Sequence, residues 1–252
     1  MPDSPDSEVA VIVGGGPGIS ASCARLFAAE GMKVAVAART TDKPALKKLE
    51  QEHDVLLVAC DAADPASVAR LFETVQQELG NPGLVVHNID GRVREIFRKP
   101  IIEAEPEHVL STITNSTFSA FLVGQQSARC MLENELGNNG RGSLIFTNAS
   151  AALKGYPLSG AFAAASHGKA GLAQSMAREL MPQGIHVASV PIDAAIGWTQ
   201  EDGTRAHRLA GTAEDDNMAD PDFIAQTYLQ IHRQHRSTWT HEVVLRPWVE
   251  NW

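Results

Sequence analysis

Residues 11–31, VIVGGGPGISASCARLFAAEG, constrain the fold more than any other stretch of the chain. A short β-branched run leads into residues 14–18, GGGPG, and an Ala-rich segment with helical spacing follows. This order predicts a buried strand, a tight glycine loop and a helix. Glycine lets a backbone come close to a phosphate, and the first turn of a helix offers unpaired N–H groups. The stretch therefore predicts a phosphate site, with Ser20 where the common fingerprint has a third glycine.

Size and charge narrow the class of protein. A chain of 252 residues with 44% hydrophobic content suits one large domain with a buried core. The net charge of −9 argues against binding to nucleic acid or to an anionic membrane. Three cysteines without metal-like spacing indicate free thiols in a reducing compartment, which predicts a cytoplasmic protein without a metal site. Residues 1–8 are polar and hold two prolines, so we expect a disordered tail rather than a signal peptide.

Predicted strands and helices alternate from residue 9 to the end of the chain. Residues 55–60 predict a third strand, residues 106–132 one long helix opened by Pro106, and residues 242–245 a final strand. Alternation of this kind predicts an α/β fold: a single Rossmann-like domain over 9–252, with a doubly wound parallel sheet of about seven strands and helices on both faces. Residues 194–220 are polar and long, and we expect them to form a substrate lid.

Polar residues and glycines follow most of the predicted strands. Because the carboxyl ends of parallel strands meet at one edge of the sheet, these residues should converge on one site. They are residues 14–18, Arg39, Asp61, Asn88, residues 147–150 and residues 192–193. This convergence predicts a nucleotide site more strongly than the glycine loop does alone.

Several motifs resemble those of the short-chain dehydrogenase/reductase family, from residue 9 to about residue 190. They are VGGGPGI at 13–19, CD at 60–61, HNID at 87–90, Asn115, AREL at 177–180 and GIHV at 184–187. The resemblance implies a dinucleotide cofactor, a small-molecule substrate and a homo-oligomer, either dimer or tetramer. It assigns the adenine to Asp61, the adenosine ribose side to Asn88, and a catalytic role to Asn115. The cofactor-binding residues that it implies are Gly14, Gly16, Pro17, Gly18, Ile19, Asp61, Ala62, Asn88 and Ile89.

Arg39 determines the predicted choice of cofactor. The end of the second strand faces the adenosine 2′ position, where an acidic residue accepts from a hydroxyl but repels a phosphate. Here Arg39 and Thr40 stand at that end, and a guanidinium suits a phosphate. We therefore expect NADP rather than NAD; the alternative is a surface arginine that contacts no ligand.

The usual proton-transfer residues of the family are absent from their expected positions. Counting back from residues 184–187 places the family's tyrosine at Phe162 and its lysine at Ser166. Phe has no proton to give, and Ser carries no charge. The family's serine falls at Ala149, with Ser150 beside it.

Other residues offer replacements. Lys169 lies seven residues after Phe162 on the same helix face, and His167 and Tyr156 lie nearby. The alternatives are an exposed lysine, a partly buried histidine and a tyrosine that forms a substrate wall. Asp90 and Asp193 would attract a cationic or iminium substrate, or else cap or bridge loops.

Two functions from different classes fit these residues. The first is an NADPH-dependent reductase of a small carbonyl or an imine/iminium compound; the iminium needs no proton because hydride addition gives a neutral amine. The alternative is a non-redox enzyme or nucleotide-binding module that keeps the NADP site, as Phe162 and Ser166 would allow. A third possibility is a partner subunit that lends only structure.

Overall fold

A parallel sheet forms the centre of the molecule, which a computed structural model describes for residues 8–199, 204–207, 211–212 and 217–250. Its strands are β1 (Val9–Val13), β2 (Lys33–Ala38), β3 (Leu56–Ala59), β4 (Pro82–His87), β5 (Gly142–Ala149) and β6 (Ile185–Ile192). They lie in the order β3-β2-β1-β4-β5-β6. The order reverses between β1 and β4, and such a switch point leaves a crevice at the carboxyl ends of the strands. The predicted doubly wound α/β fold is confirmed.

Helices cover both faces of the sheet. They are α1 (Ile19–Ala29), α2 (Pro44–His53), α3 (Pro65–Glu78), α4 (Pro106–Ile113), α5 (Ser119–Leu132), α6 (Gly160–Leu180) and α7 (Pro221–His232). Val11 of β1 faces a core with α3, α5 and α6, whereas Ile12 faces a core with α1, α2 and α7. Successive residues of a strand point to opposite faces, so a continuous apolar strand feeds both cores. No helix among the described residues is long and apolar enough to cross a membrane.

The predicted helix over 106–132 is wrong in one respect. A π-helical turn, Thr114–Phe118, separates α4 from α5. This stretch holds β-branched and Asn/Ser residues, which favour an α-helix less than Ala or Leu does. The third strand is also shorter than predicted: it covers Leu56–Ala59 and leaves out residues 55 and 60.

The chain ends differ from the predictions in detail. The prediction of a disordered tail is wrong for Glu8, because its carbonyl accepts from the Lys33 N–H at 2.9 Å and its carboxylate contacts His232. The rest of the predicted tail lies outside the described residues. Residues 242–245 form two parallel bridges to β6, Ser189 with Glu242 and Ile192 with Leu245, instead of a full strand.

The predicted lid over 194–220 is only partly described. Three short strands, β7 (Trp198–Thr199), β8 (Arg205–His207) and β9 (Gly211–Thr212), form a separate antiparallel sheet where an irregular segment was expected. Residues 200–203, 208–210 and 213–216 of the lid lie outside the described residues. The assignment of residues 9–252 to one catalytic domain with a substrate lid at 194–220 stays a prediction.

Candidate active site

The glycine loop runs tightly against two neighbouring strands. The N–H groups of Gly14 and Gly15 both donate to the Ala37 carbonyl at 2.9 Å. Gly14 has a φ of +111°, and a Cβ there would lie 2.3 Å from the Asn88 carbonyl oxygen. A Cβ on Gly16, by contrast, would meet no atom of the described residues within 4 Å. Gly14 therefore serves the fold, whereas Gly16 leaves open space beside the first turn of α1.

Ser20 connects the glycine loop to the end of β4. Its Oγ donates to the Gly14 carbonyl at 2.7 Å and accepts from Asn88 Nδ2 at 2.7 Å. The residue that replaces the third glycine thus fixes the loop and the Asn88 side chain to each other. Within the described part of the chain, no side chain caps α1 at Gly18, so the N–H groups of its first turn remain available. The loop fits a phosphate group.

Two cavities join along the carboxyl edge of the sheet. The first cavity, about 380 Å³, extends from Gly14 past Arg39 and Asp61 to Asn115. The second cavity, about 540 Å³, extends from Gly18 past Ser150 to Phe162 and Lys169. Both share Asn88, Ile89, Asp90 and Arg92. Together they form one cleft, long enough for an elongated ligand that passes the glycine loop.

Most of the predicted site residues line this cleft. In the first cavity they are Gly14, Arg39, Asp61, Ala62, Asn88, Ile89 and Asn115. In the second they are Pro17, Gly18, Ile19, Asn88, Ile89, Ser150, Phe162, Ser166 and Lys169. Gly16, Thr40 and Asp193 line neither cavity, although Gly16 follows directly on lining residues. The sequence therefore placed nearly the whole set at one edge of the sheet.

Lys169 is buried at the floor of the second cavity. The alternative of an exposed lysine is wrong, because only 2% of the residue is exposed. Its Nζ donates to the carbonyl oxygens of Ile89 at 2.7 Å and Thr147 at 3.3 Å. Burial lowers the pKa of Lys169 to about 8, and the nearby charge of Asp90 acts in the opposite direction. An amine with this pKa both holds and releases a proton near neutral pH.

Phe162 and Ser166 lie on the same face of α6 and line the second cavity. Phe162 is 6% exposed and Ser166 is 1% exposed. Asn115 falls within the π-helical turn, and its carbonyl accepts from Ser119 Oγ at 2.5 Å. Turns of this kind occur often at functional sites. Of the other replacements considered, His167 is exposed rather than partly buried, and Tyr156 is 43% exposed.

Asp193 is paired with two cations. Its Oδ2 lies 3.1 Å from Lys154 Nζ and 3.0 Å from Arg246 Nε, and its side chain is 2% exposed. Asp90 contacts Arg92, with 3.1 Å between Oδ2 and Nε. The contacts of Asp193 fit the alternative in which it bridges loops, whereas Asp90 pairs within its own loop. Because Asp193 is buried between Lys154 and Arg246, little of its charge reaches the cleft.

His87 is the last residue of β4 and precedes Asn88, which lines both cavities. It is fully buried, and its Nε2 lies 2.9 Å from Ser119 Oγ. Its Nδ1 has no hydrogen-bond partner among the described residues. Burial, with a smaller contribution from the charge of Lys169, lowers the pKa of His87 well below its usual value of 6.5.

We expect His87 to reduce stability in acid. The unfolded chain takes up this proton as pH falls below about 6.5, whereas the folded chain resists it. The free energy of unfolding should fall by up to about 1.4 kcal/mol per pH unit for this group until pH reaches the folded-state pKa. Urea unfolding of His87→Asn between pH 7 and pH 5 should show a shallower decline than wild type. His167→Asn, at an exposed histidine, is the matched control; equal slopes in all three proteins would contradict this role.

Comparison with known proteins identifies the family. A family model described as "Enoyl-(Acyl carrier protein) reductase" matches residues 14–244. The chain belongs to the short-chain dehydrogenase/reductase family. L-2,3-butanediol dehydrogenase of Corynebacterium glutamicum is 28% identical over 204 residues, covering 78% of this chain and 76% of that protein. A short-chain dehydrogenase from Rhodopseudomonas palustris is 30% identical with a TM-score of 0.76, covering 97% of this chain and 100% of the other.

A second solved structure gives a fold comparison with a cofactor. A metagenomic short-chain oxidoreductase in complex with NADP has a TM-score of 0.75 and 23% identity, covering 95% of this chain and 97% of that chain. At this identity the likeness concerns the fold alone. The family model and the curated relative, not this structure, show that the chain is a member of an oxidoreductase family.

Arg92 is the main site residue that sequence reasoning missed. It lines both cavities of this short-chain dehydrogenase/reductase, and its guanidinium lies 4.2 Å from the centre of the Phe162 ring. In the sequence it belongs to a basic loop after β4 and carries no motif. Its only signal is its position five residues after the end of a strand whose carboxyl end faces the cleft.

Proposed function

We propose that the chain is an NADP(H)-dependent oxidoreductase that reduces a small carbonyl or imine/iminium compound by hydride transfer. One observation carries the proposal: a single cleft joins Arg39, the glycine loop and the buried amine of Lys169. Membership of an oxidoreductase family supports it, as does the NADP bound to the metagenomic relative.

The cleft residues divide into two groups. Gly14, Gly16, Pro17, Gly18 and Ile19 would hold the phosphates, while Asp61 and Ala62 would hold the adenine and Asn88 and Ile89 the adenosine side. Arg39 and Thr40 would bind the 2′-phosphate at the end of β2. Arg39 is exposed and lines the first cavity beside Asp61. A guanidinium there has the charge and the planar donors that a phosphate needs.

Lys169 is the proposed source of the proton. A nicotinamide cofactor, when bound, supplies the hydride that adds to the substrate carbon. The carbonyl oxygen then needs a proton, which Phe162 cannot give. The Lys169 ammonium uses two hydrogens on the Ile89 and Thr147 carbonyls, which leaves a third donor. That donor is proposed to protonate the oxygen, and the neutral amine is then reprotonated from solvent. An iminium substrate would need no such proton.

A specific observation favours a second candidate function. Phe162 is buried in the cleft at the position where the family resemblance expects a tyrosine. A protein with this substitution would retain the nucleotide site and use it for non-redox catalysis or for nucleotide sensing.

Isotope transfer distinguishes the two functions. NADPH deuterated at the transferable C4 position is mixed with a panel of aldehydes, ketones and cyclic imines, and the products are analysed by mass spectrometry. The proposed function requires deuterium in at least one product. Tight NADPH binding without transfer to any substrate would favour the non-redox candidate, and no dinucleotide binding would favour a partner subunit.

Arg39 gives a sharper test of the cofactor. Arg39→Gln should raise the Kd for NADPH by about 10- to 100-fold, since a charge-assisted hydrogen bond contributes about 1.5–3 kcal/mol. The Kd for NADH should stay unchanged, because NADH has no 2′-phosphate. Arg70→Gln, at an exposed arginine on α3, is the control for net charge. Equal loss of both cofactors in Arg39→Gln would remove the argument for NADP.

We further propose that the chain forms a dimer or tetramer and functions in the cytoplasm. Phe118 and Phe121 are 41% and 40% exposed and stack with ring centres 6.2 Å apart, which supports burial against another copy in a dimer or tetramer. Cys23, Cys60 and Cys130 are free and buried, in keeping with the reducing conditions of the cytoplasm.

A further inference from the structure

Arg92 lies between two aromatic rings at the mouth of the second cavity. Its Cζ is 4.2 Å from the centre of the Phe162 ring and 5.8 Å from that of Phe97. Its Nε contacts Asp90 at 3.1 Å. Stacking on Phe162 and the ion pair with Asp90 hold the guanidinium in one orientation.

The terminal nitrogens of Arg92 remain available. Among the described residues, no acceptor receives a hydrogen bond from Nη1 or Nη2, and the side chain is 30% exposed. These two nitrogens present the parallel donors that bind a carboxylate in a bidentate manner. The guanidinium is therefore oriented, charged and free to bind an anion.

A third cavity, here called the outer cavity, adjoins this guanidinium. It has a volume of about 300 Å³ and shares Arg92 and Phe162 with the second cavity. Phe97, Tyr156 and Leu158 also line it, and they are 37%, 43% and 47% exposed. A mostly apolar surface of this kind, beside the guanidinium groups of Arg92 and Arg98, suits a ligand with an anionic end and an apolar body.

Two residues of the outer cavity have a left-handed backbone. Arg98 has a φ of 52° and Leu158 a φ of 60°. A residue other than Gly or Asn in this region costs about 1–2 kcal/mol, and such strain concentrates at binding sites. The loops that form the outer cavity are thus held in conformations that their sequences do not favour.

The charges around the cleft also favour an anion. Arg92 and Lys169 line the second cavity, with Asp90 as the facing carboxylate. Asp193 is neutralised by Lys154 and Arg246. The described groups near the reacting end therefore carry more positive than negative charge, which disfavours a purely cationic substrate.

We propose that the substrate carries a carboxylate and an apolar body: the carboxylate binds Nη1 and Nη2 of Arg92, and the apolar body lies in the outer cavity. This places the reducible carbon in the second cavity, beside Lys169. That this ligand is a substrate for reduction rests on the proposed function. Binding of the carboxylate to Arg92 does not require turnover.

Binding of a matched pair of probes tests the proposal without catalysis. Calorimetry measures the Kd of 2-oxo-4-phenylbutanoate and of its neutral amide for the protein loaded with oxidised NADP. The oxidised cofactor cannot reduce either compound, so only binding is observed. We expect the acid to bind at least about tenfold more tightly than the amide, from hydrogen bonds to a charged group. Arg92→Gln should remove this preference, and Arg92→Lys should retain part of it. Arg94→Gln, at an exposed arginine of the same loop, should bind as wild type.

The outcomes separate this proposal from the proposed function. Equal binding of acid and amide, no binding of either, or equal effects of Arg92→Gln and Arg94→Gln would overturn the anion site. Acid-selective binding without isotope transfer to any substrate would keep the anion site and overturn the reductase. If the protein binds no dinucleotide, the same titration of the free protein still decides the role of Arg92.

Discussion

Replacement of Lys169 by methionine is expected to lower kcat for carbonyl reduction by about 100- to 10,000-fold, the range typical of a general acid. The wild-type rate should fall as pH rises through about 8, because the ammonium that donates the proton is then lost. The Tm of the wild-type protein should not fall over the same pH range. Burial lowers the pKa of Lys169, so loss of this proton at higher pH does not destabilise the folded state. Steady-state kinetics from pH 6 to pH 10, with Tm measured on the same samples, provides the test.

A charge-preserving variant separates proton transfer from electrostatics. Lys169→Arg keeps a positive charge but does not titrate below about pH 12. It should therefore lose the decline near pH 8 while keeping any purely electrostatic part of the rate. A flat wild-type profile through pH 8, or a Lys169→Met enzyme within threefold of wild type, would remove Lys169 from the mechanism. Unchanged NADPH binding in both variants is the control for an intact cleft.

Alanine substitution at two glycines of the same loop should affect two different properties, stability at Gly14 and binding of the dinucleotide at Gly16. Gly14→Ala places a Cβ 2.3 Å from the Asn88 carbonyl oxygen at a φ of +111°, so the neighbouring backbone must move. Strain at a positive φ costs about 1–2 kcal/mol of folding free energy, and overpacking costs about 1–3 kcal/mol more. Urea unfolding should show a loss of about 2–5 kcal/mol, a large share of the typical total stability of about 5–15 kcal/mol.

Gly16→Ala should leave stability unchanged and weaken the binding of the dinucleotide. Its Cβ meets no atom within 4 Å in the part of the chain that the structure describes, so the methyl group would occupy the open space beside α1. If a phosphate uses that space, the Kd for NADPH should rise at least about tenfold, or 1.4 kcal/mol. Wild-type affinity in a stable Gly16→Ala protein would show that no phosphate lies there.

Local signals in the sequence are sufficient for the fold and for the position of most of the proposed cofactor residues along one cleft. The glycine loop, the apolar strands and the Asp64-Pro65 start of α3 each act over a few residues, and Asp64 does cap the N–H groups of Ala66 and Ser67. The topology of a parallel sheet then brings the strand ends together without further information. The interruption at Thr114–Phe118 has no proline or glycine to mark it.

The roles of the side chains around the second cavity depend on contacts between segments far apart in the chain, which no local sequence pattern contains. Lys169 is held by carbonyls that lie 80 and 22 residues away in the chain. Asp193 meets Arg246 across 53 residues, so its neutralisation is invisible in the sequence. The stacking of Arg92 on Phe162 likewise joins a loop after β4 to a helix after β5. Side-chain roles that arise from packing between distant segments need the assembled fold.

The bridge formed by Ser20 has a thermodynamic consequence. By joining the Gly14 carbonyl to the Asn88 amide, it fixes the glycine loop to the segment that follows β4. The conformational entropy of these loops is thus lost during folding rather than on binding. A ligand that enters the cleft loses mainly its own freedom, so its affinity depends less on ordering the protein and more on direct contacts.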